Sequence, residues 1–358
     1  MRFASACALT VVLAAHAAMA QSQSPAVPSA SAGPGGMASV AFVSIRSGDP
    51  QIHVRDSNGQ MRVLTEGKGL YSQPAWSVDG RMAYGARVGG MSRIFVTDAD
   101  GNAPKRLSAD ELMESAPSWS PDGRWLAYFA RPVTVGQSEL RLVELSTGKV
   151  SVVARNERGM GPARASWSAD GTRLAFNSVD GQSRAHVWTV RRDGTELRNL
   201  SAAFASRGGH SPDLSPDGKR VAWVADMRGR KPIVVTDIET GESRDLMPDQ
   251  QAGNESPRWS PDGRQLAFAS IRDSLLTSRN DVFVMDANGA NIRNLSRHDG
   301  EDFDPKWSAD GRSIVFASLR SGTSLLYEVS LIDGAAKPIS VHPSHDMDHV
   351  IRPQAAAN

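Results

Sequence analysis

The residues nearest the C-terminus have the types that bind metal ions. His342, His345, Asp346, Asp348 and His349 fall within eight positions, and imidazole nitrogens and carboxylate oxygens are common ligands of divalent cations. Their spacing, however, matches no closed set of ligands. We therefore predict that the protein needs no cofactor, and we take His345, Asp346 and His349 as the candidate ligands if a divalent metal does bind.

The sequence offers little for covalent catalysis. Its one cysteine, Cys7, lies in a segment that we expect to be removed, and there is no Gly-x-Ser-x-Gly segment of the kind that carries the nucleophile of many hydrolases. No Ser-His-Asp or Cys-His arrangement can be assigned from spacing either. We therefore predict a protein that binds another molecule and is not an enzyme.

A second set of side chains differs in chemistry from one member to the next, and each member lies shortly before a recurring phrase. These residues are Tyr71, Glu114, Arg164, His210, Glu255, Asp302 and Asp304. Residues that vary among otherwise repeated units can give a symmetric scaffold one asymmetric binding site. We predict that they line a polar funnel for a peptide segment or a small polar ligand. The alternative is that they are solvated loop residues.

The recurring phrase is Trp-Ser-x-Asp-Gly, which has the composition of a strand that ends in a tight turn. It occupies residues 74–80, 117–123, 165–171, 212–218, 257–263 and 305–311, with Leu214 in place of Trp in the fourth copy. Its glycines are separated by steps of 43, 48, 47, 45 and 48 residues. A period of this length is typical of the blades of a β-propeller. We expect the repeated Trp to pack between neighbouring blades.

A second hairpin recurs seven times, and it sets the number of blades. Its turns are at Asn58-Gly59, Asp100-Gly101, Thr147-Gly148, Asp193-Gly194, Thr240-Gly241, Asn288-Gly289 and Asp333-Gly334. The opening unit therefore lacks a first strand, which residues 348–353 can supply to close the ring. We predict an all-β propeller of seven four-stranded blades closed by a C-terminal strand. A six-bladed ring with a loose N-terminal unit is the alternative.

Arginines recur in the loops between the second and third strands of the units. They are Arg46, Arg87, Arg131, Arg228, Arg272 and Arg320. A residue that is present in nearly every blade is usually part of the architecture. We predict that these arginines form repeated, partly exposed ion pairs and cap their loops.

The ends and the charge balance of the chain indicate where it works. Arg2, the apolar residues 8–15 and Ala18-Met19-Ala20 form a signal peptide over residues 1–20, followed by a flexible Ser/Pro/Ala/Gly linker over 21–37 and the propeller over 38–358. Without Arg2, Lys plus Arg fall from 40 to 39 and match the 39 acidic residues. We therefore predict an exported, periplasmic or secreted, monomeric protein that binds neither nucleic acid nor the interior of a membrane.

Three segments together resemble the WD-like repeat of TolB-type propellers: residues 259–264 (WSPDGR), 266–270 (LAFAS) and 282–289 (VFVMDANG). The resemblance covers residues 38 to the C-terminus and implies a module that binds a protein or peptide in the bacterial periplasm or cell envelope. Similar repeats form the propellers of prolyl-oligopeptidase-like enzymes and oligogalacturonate lyases. A polysaccharide lyase or hydrolase acting in the channel is therefore the alternative, and a structural envelope component is a third reading.

Two departures from the family's pattern refine this expectation. TolB has an α/β domain before its propeller, and the propeller-bearing peptidases have a hydrolase domain after theirs. We find neither pattern in this sequence. We therefore expect a TolB-like propeller rather than TolB, and its membership of a Tol-Pal system stays open.

Overall fold

The computed structural model describes residues 38–353, apart from 99, 109–110, 135, 157–163, 205, 249–250, 274–278 and 343. The predicted signal peptide and linker lie outside the described residues. In the part that is described, no helix has the length and apolar character needed to cross a bilayer.

The described residues form seven antiparallel sheets of four strands each. Blade 1 contains β1 (Val40–Ser44), β2 (Gln51–Arg55), β3 (Met61–Val63) and the last strand of the chain, β28 (Asp346–Ile351). Blade 2 contains β4 (Ser72–Trp76), β5 (Met82–Val88), β6 (Met91–Val96) and β7 (Lys105–Arg106). Blade 3 contains β8 (Met113–Trp119), β9 (Trp125–Arg131), β10 (Ser138–Glu144) and β11 (Val150–Asn156). Blade 4 contains β12 (Ser166–Trp167), β13 (Arg173–Val179), β14 (Ala185–Arg191) and β15 (Arg198–Asn199).

The remaining three blades repeat the same order. Blade 5 contains β16 (Gly209–Leu214), β17 (Arg220–Ala225), β18 (Ile233–Asp237) and β19 (Ser243–Asp245). Blade 6 contains β20 (Asn254–Trp259), β21 (Gln265–Ser270), β22 (Asp281–Asp286) and β23 (Arg293–Asn294). Blade 7 contains β24 (Asp302–Trp307), β25 (Ser313–Ser318), β26 (Leu325–Ser330) and β27 (Ala336–Pro338).

The ring closes as the sequence predicts, with a strand from each end of the chain in blade 1. β28 pairs with β1 in the register Val40 opposite Ile351 and Ser44 opposite Asp346. Each innermost strand contacts the innermost strand of the next blade, in the circular order β28, β4, β8, β12, β16, β20 and β24. Seven blades are therefore confirmed and six are excluded. The closing strand begins two residues before the predicted range, at Asp346.

The turn of the recurring phrase is held by its own Ser and Asp. In blade 6, the Ser260 hydroxyl donates to Asp262 Oδ1 at 2.6 Å, and the same oxygen accepts the backbone N–H of Arg264 at 3.1 Å. Gly263 has a φ of +70°, a conformation that glycine adopts without steric cost. These three residues explain why the phrase returns nearly unchanged in six of the seven blades.

The repeated Trp packs between adjacent blades, as predicted, and in four of its five copies the indole also donates to the neighbouring blade. The indole Nε1 of Trp307 in blade 7 donates to the Arg258 carbonyl of blade 6 at 2.9 Å. Equivalent bonds run from Trp119 to Ala75, from Trp167 to Ser118 and from Trp259 to Asp213. The apolar cores accordingly lie between blades, and one of them packs Trp307, Ile314 and Phe316 against Ala267 and Val282.

Candidate binding channel

Six of the seven blades distort their innermost strand at the same place. Non-glycine residues with positive φ occur three positions before the Trp, or its equivalent, in six blades, and the pairing with the second strand shifts register around them. Bulges of this kind redirect a side chain away from its strand. Together with the equivalent residue of blade 4, these positions form what we call the bulge ring: Gln73, Ala116, Arg164, Ser211, Ser256, Asp304 and Asp348.

An ion pair within the bulge ring crosses the central channel. Arg164 Nη2 of blade 4 lies 2.9 Å from Asp348 Oδ1 of blade 1, and these blades are not neighbours in the ring. The other carboxylate oxygen of Asp348 accepts the backbone N–H of Gln73 at 2.5 Å. The Gln73 side chain in turn accepts the N–H of Ala116 at 2.7 Å. These contacts therefore connect the bulge ring from blade 4 to blade 1, and from there through blade 2 to blade 3.

A second layer of the channel comes from the residue just before the Trp. We call it the inner ring: Ala75, Ser118, Ser166, Asp213, Arg258, Lys306 and Val350. Asp213 accepts hydrogen bonds from the Ser166 hydroxyl at 2.9 Å and from the Trp259 N–H at 2.8 Å. Lys306 Nζ lies 2.7 Å from Asp304 Oδ2 of the bulge ring. The charged members of the inner ring therefore occupy three consecutive blades, 5, 6 and 7.

The charges of the two rings act on one another. Burial would raise the pKa of Asp304, but Lys306, His349 and Arg258 outweigh it and hold that pKa well below its usual range. Burial lowers the pKa of Lys306, and the positive charges of Arg258 and Arg164 lower it further against the opposing effect of Asp304. Burial raises the pKa of Asp213, with Arg258 as the largest opposing influence. The channel thus holds one coupled set of charges.

The network is accessible to solvent. The side chains of Arg164 and Asp348 are 22% and 30% exposed, and those of Lys306 and Asp304 are 18% and 30% exposed. A ligand that enters the channel can therefore contact all four. Two predicted site residues, Arg164 and Asp304, belong to this network.

Two further predicted residues lie together at the edge of the channel. His210 Nε2 is 3.8 Å from Asp226 Oδ1, and Glu255 Oε1 is 3.9 Å from Lys231 Nζ. Burial lowers the pKa of His210, and the charge of Lys231 lowers it further, against the opposing effects of Asp226 and, more weakly, Glu255. We call these four residues of blades 5 and 6 the rim cluster.

The other three predicted site residues hold neighbouring strands together. The Tyr71 hydroxyl donates to the Glu66 carbonyl at 2.6 Å, and its ring packs edge-on against Tyr84. Glu114 is buried and accepts the N–H of Ile94 at 3.0 Å. Asp302 is buried, and Arg320 Nη2 donates to both of its carboxylate oxygens, at 3.2 and 3.0 Å. These side chains support the channel wall, and none of them joins the charged network.

The three candidate metal ligands diverge. Asp346 is buried against Arg46, whose Nη2 lies 3.1 and 3.0 Å from its two oxygens. His349 is buried and contacts the Val315 carbonyl at 3.3 Å, while His345 Nδ1 accepts the Ser324 N–H at 3.4 Å. Within the described ranges, no group of three His, Cys, Asp or Glu side chains could hold a metal ion. The absence of a cofactor stays a prediction.

The Asp346 and Asp302 contacts also test the prediction about the arginines. Arg46 and Arg320 both lie in loops between second and third strands, and both make the predicted ion pair, with Asp346 and Asp302 respectively. Each also donates through Nε to the serine that ends the second strand, Ser44 at 2.9 Å and Ser318 at 2.8 Å. These two arginines therefore have the architectural role that their recurrence predicts.

Sequence reasoning missed Asp213, Arg258 and Lys306. All three lie inside the recurring phrase. The repetition of its Trp, Ser, Asp and Gly indicates a structural role for the whole phrase. Yet the position before the Trp changes from Ala and Ser in blades 2 to 4 to Asp, Arg and Lys in blades 5 to 7. The variation that identified the residues ahead of the phrase was therefore present inside it as well.

The fold and the channel define a class of protein, a seven-bladed propeller with one asymmetric, charged channel. Residues 15–210 and 205–357 match the TolB beta propeller domain, so the chain belongs to the TolB β-propeller family.

Curated relatives and solved structures agree with this assignment. The chain is 28% identical over 156 residues to the Protein TolB homolog of Chlorobium luteolum, covering 43% of this chain and 34% of that protein. It is 24% identical over 209 residues to the Tol-Pal system protein TolB of Francisella tularensis, covering 58% and 47%. The chain thus spans about a third to a half of the length of these two relatives.

Two solved structures share the fold. TolB from Acinetobacter baumannii superposes with a TM-score of 0.57 and 18% identity, over 88% of this chain and 82% of that one. An oligogalacturonate lyase in complex with manganese superposes with a TM-score of 0.62 and 15% identity, over 85% of each chain. At these identities the superpositions show the fold alone.

Proposed function

We propose that this protein is an exported binding module that receives a segment of a partner protein in its channel, in the bacterial periplasm or cell envelope. The observation that carries the proposal is the channel network, in which Arg164, Asp304, Lys306 and Asp348 present paired charges to solvent at the centre of the ring. A peptide backbone carries both donors and acceptors, and such a lining can satisfy both. The resemblance to a Tol-Pal system protein supports a protein partner.

The face around the rim cluster supports the same proposal. In a four-stranded antiparallel blade, the loops between the second and third strands share one face with the blade-to-blade connections; we call this the loop face. Large apolar side chains are exposed there in blades 7, 1, 2 and 3, forming what we call the apolar arc: Leu70, Val88, Val133, Leu319, Val341 and Met347. Exposed apolar side chains bordered by polar ones are typical of protein interaction sites. A partner could rest on this face while one of its segments enters the channel.

Affinity capture from an envelope extract tests the proposal. The wild-type propeller is compared with a rim variant, His210→Ala plus Glu255→Ala, and a channel variant, Arg164→Met plus Asp348→Asn. A matched control, Arg264→Gln plus Arg312→Gln, changes exposed arginines in the turns of the opposite face. We expect one protein to be captured by the wild type and the control and to be lost from both other variants. A partner captured equally by all four proteins would bind elsewhere and would refute a channel-dependent function.

A catalytic channel is the second candidate, because Asp213, Asp304, Lys306 and His349 converge there. Two contacts weigh against it. Both oxygens of Asp213 already accept hydrogen bonds, and Asp304 is paired with Lys306. We therefore propose that the protein is not an enzyme. Incubation with acidic polysaccharides tests this directly, since a lyase would produce unsaturated ends that absorb ultraviolet light, and a hydrolase would release reducing ends.

A further inference from the structure

Arg258 is the one charged member of the two rings, within the described part of the chain, whose side chain bonds only to its own neighbour. Its Nη1 donates to the Pro257 carbonyl at 3.2 Å, and no ion pair involves its guanidinium among the described residues. Arg164 and Lys306, by contrast, are each paired with a carboxylate. Most donors of the Arg258 guanidinium are therefore available to a ligand.

The backbone holds Arg258 in place. Its carbonyl accepts the Trp307 indole N–H of the next blade at 2.9 Å, and in the sheet it lies opposite Ala267 on the second strand. The side chain therefore extends from a rigid position between blades 6 and 7. A guanidinium fixed at its base loses little freedom when it binds a planar, bidentate acceptor.

The charged members of the two rings number three of each sign, and among the described residues Arg258 and Asp213 are the two that no ion pair joins to a partner. Arg164 is paired with Asp348, and Lys306 is paired with Asp304. Asp213, the remaining acid, already accepts two hydrogen bonds from uncharged donors. An added negative charge at Arg258 would therefore be attracted, because no carboxylate of the described residues already forms an ion pair with its guanidinium.

The opposite wall of the channel carries no charged ring residue. In a ring of seven, blade 6 faces blades 2 and 3. The ring residues of those two blades are Ala75, Ser118, Ala116 and Gln73, three of which are small and none of which is charged. A carboxylate at Arg258 therefore meets no competing charge from the ring residues of this wall.

We propose that the channel recognises a carboxylate of its ligand through Arg258, so that the segment it receives contains an acidic residue or ends in a free C-terminus. The inference rests on the proposed function, since it assigns ligand chemistry to the same channel. Arg258 acts as a selectivity residue: it favours segments that carry a carboxylate at the depth of the inner ring.

Selection from two random peptide libraries tests this assignment. One library is fused through its C-terminus and carries no free terminal carboxylate, and the other displays free C-termini. The selecting proteins are the wild-type propeller, Arg258→Gln and the matched control Arg264→Gln, whose side chain is exposed in the same blade. We expect the wild type and the control to enrich Asp and Glu at one position in the first library, or a free carboxyl end in the second. We expect Arg258→Gln to enrich neither.

The two libraries distinguish a side-chain carboxylate from a C-terminal one. The results also distinguish a failure of the role of Arg258 from a failure of the proposed function. Enriched peptides without any carboxylate preference would overturn the role of Arg258 while leaving a peptide-binding channel in place. If the channel variant Arg164→Met plus Asp348→Asn selects as well as the wild type, binding lies outside the channel and the proposed function fails too.

A second measurement needs only the wild-type protein. The best selected peptide is synthesised with its acidic residue replaced by the matching amide, or with an amidated C-terminus. Since hydrogen bonds to charged groups contribute about 1.5–3 kcal/mol, we expect the dissociation constant to rise about tenfold or more. An unchanged dissociation constant would overturn the inference, whatever the fate of the Arg258→Gln variant.

Discussion

The ion pair between Arg46 and Asp346 joins the first blade's second strand region to the closing strand at the other end of the chain. Asp346 begins the closing strand, its side chain is 0% exposed, and Arg46 Nη2 contacts both of its oxygens. We predict that Asp346→Asn destabilises the propeller, because asparagine keeps one acceptor but leaves a largely buried guanidinium without its counter-charge.

The size of the effect follows from burial. Removing one partner of a fully buried ion pair costs about 3–5 kcal/mol. Arg46 is 17% exposed and can recover part of this loss through water. We therefore expect the free energy of unfolding to fall by about 2–3 kcal/mol, measured by guanidinium denaturation at pH 7.

Blade 7 provides a matched comparison. Arg320 binds Asp302 with almost the same geometry, but there the two residues are only 18 positions apart in the sequence. Asp302→Asn should have a similar effect on overall stability, whereas only Asp346→Asn should speed the trimming of the chain from its C-terminus by a carboxypeptidase. Asp49→Asn, an exposed acid in the same loop as Arg46, serves as the control for lost charge. If Asp346→Asn cost no more than Asp49→Asn, our account of ring closure would be wrong.

Two further predictions concern pH and the joints between blades. Burial lowers the pKa of His349 to about 4, so the folded protein binds this proton less readily than the unfolded chain. The contribution of His349 to stability is therefore complete above pH 6.5 and is lost as the pH falls toward 4, by about 3 kcal/mol in all. His349→Gln should flatten this part of the stability profile, whereas the exposed His298→Gln should not; parallel profiles for all three proteins would refute the assignment. Trp307→Phe should lower the free energy of unfolding by about 1–3 kcal/mol, because the Arg258 carbonyl loses its partner in the next blade. Trp76→Phe, whose indole bonds to Gly80 of its own turn, should cost less, and equal costs would contradict the proposed role of the inter-blade bond.

Much of the architecture could be predicted because it depends on local chemistry that repeats. Ser260, Asp262 and Gly263 form their turn with one another, and the period of such turns gives the blades. The closing strand followed from a count of hairpins. The pairing of Arg164 with Asp348 could not be predicted, since 184 residues separate them and only the closed ring brings them together.

For a related reason, Arg258 was not identified from the sequence. The recurring phrase satisfies its structural needs with the Trp that joins two blades and the Ser, Asp and Gly that form the turn. The residue before the Trp contributes its carbonyl to the next blade's indole, and a carbonyl is available from any residue type. The side chain at this position is therefore free of the constraint that conserves the phrase. Seven such positions meet around one channel, so the most regular segment of the sequence is also where the protein can vary its binding site at the least structural cost.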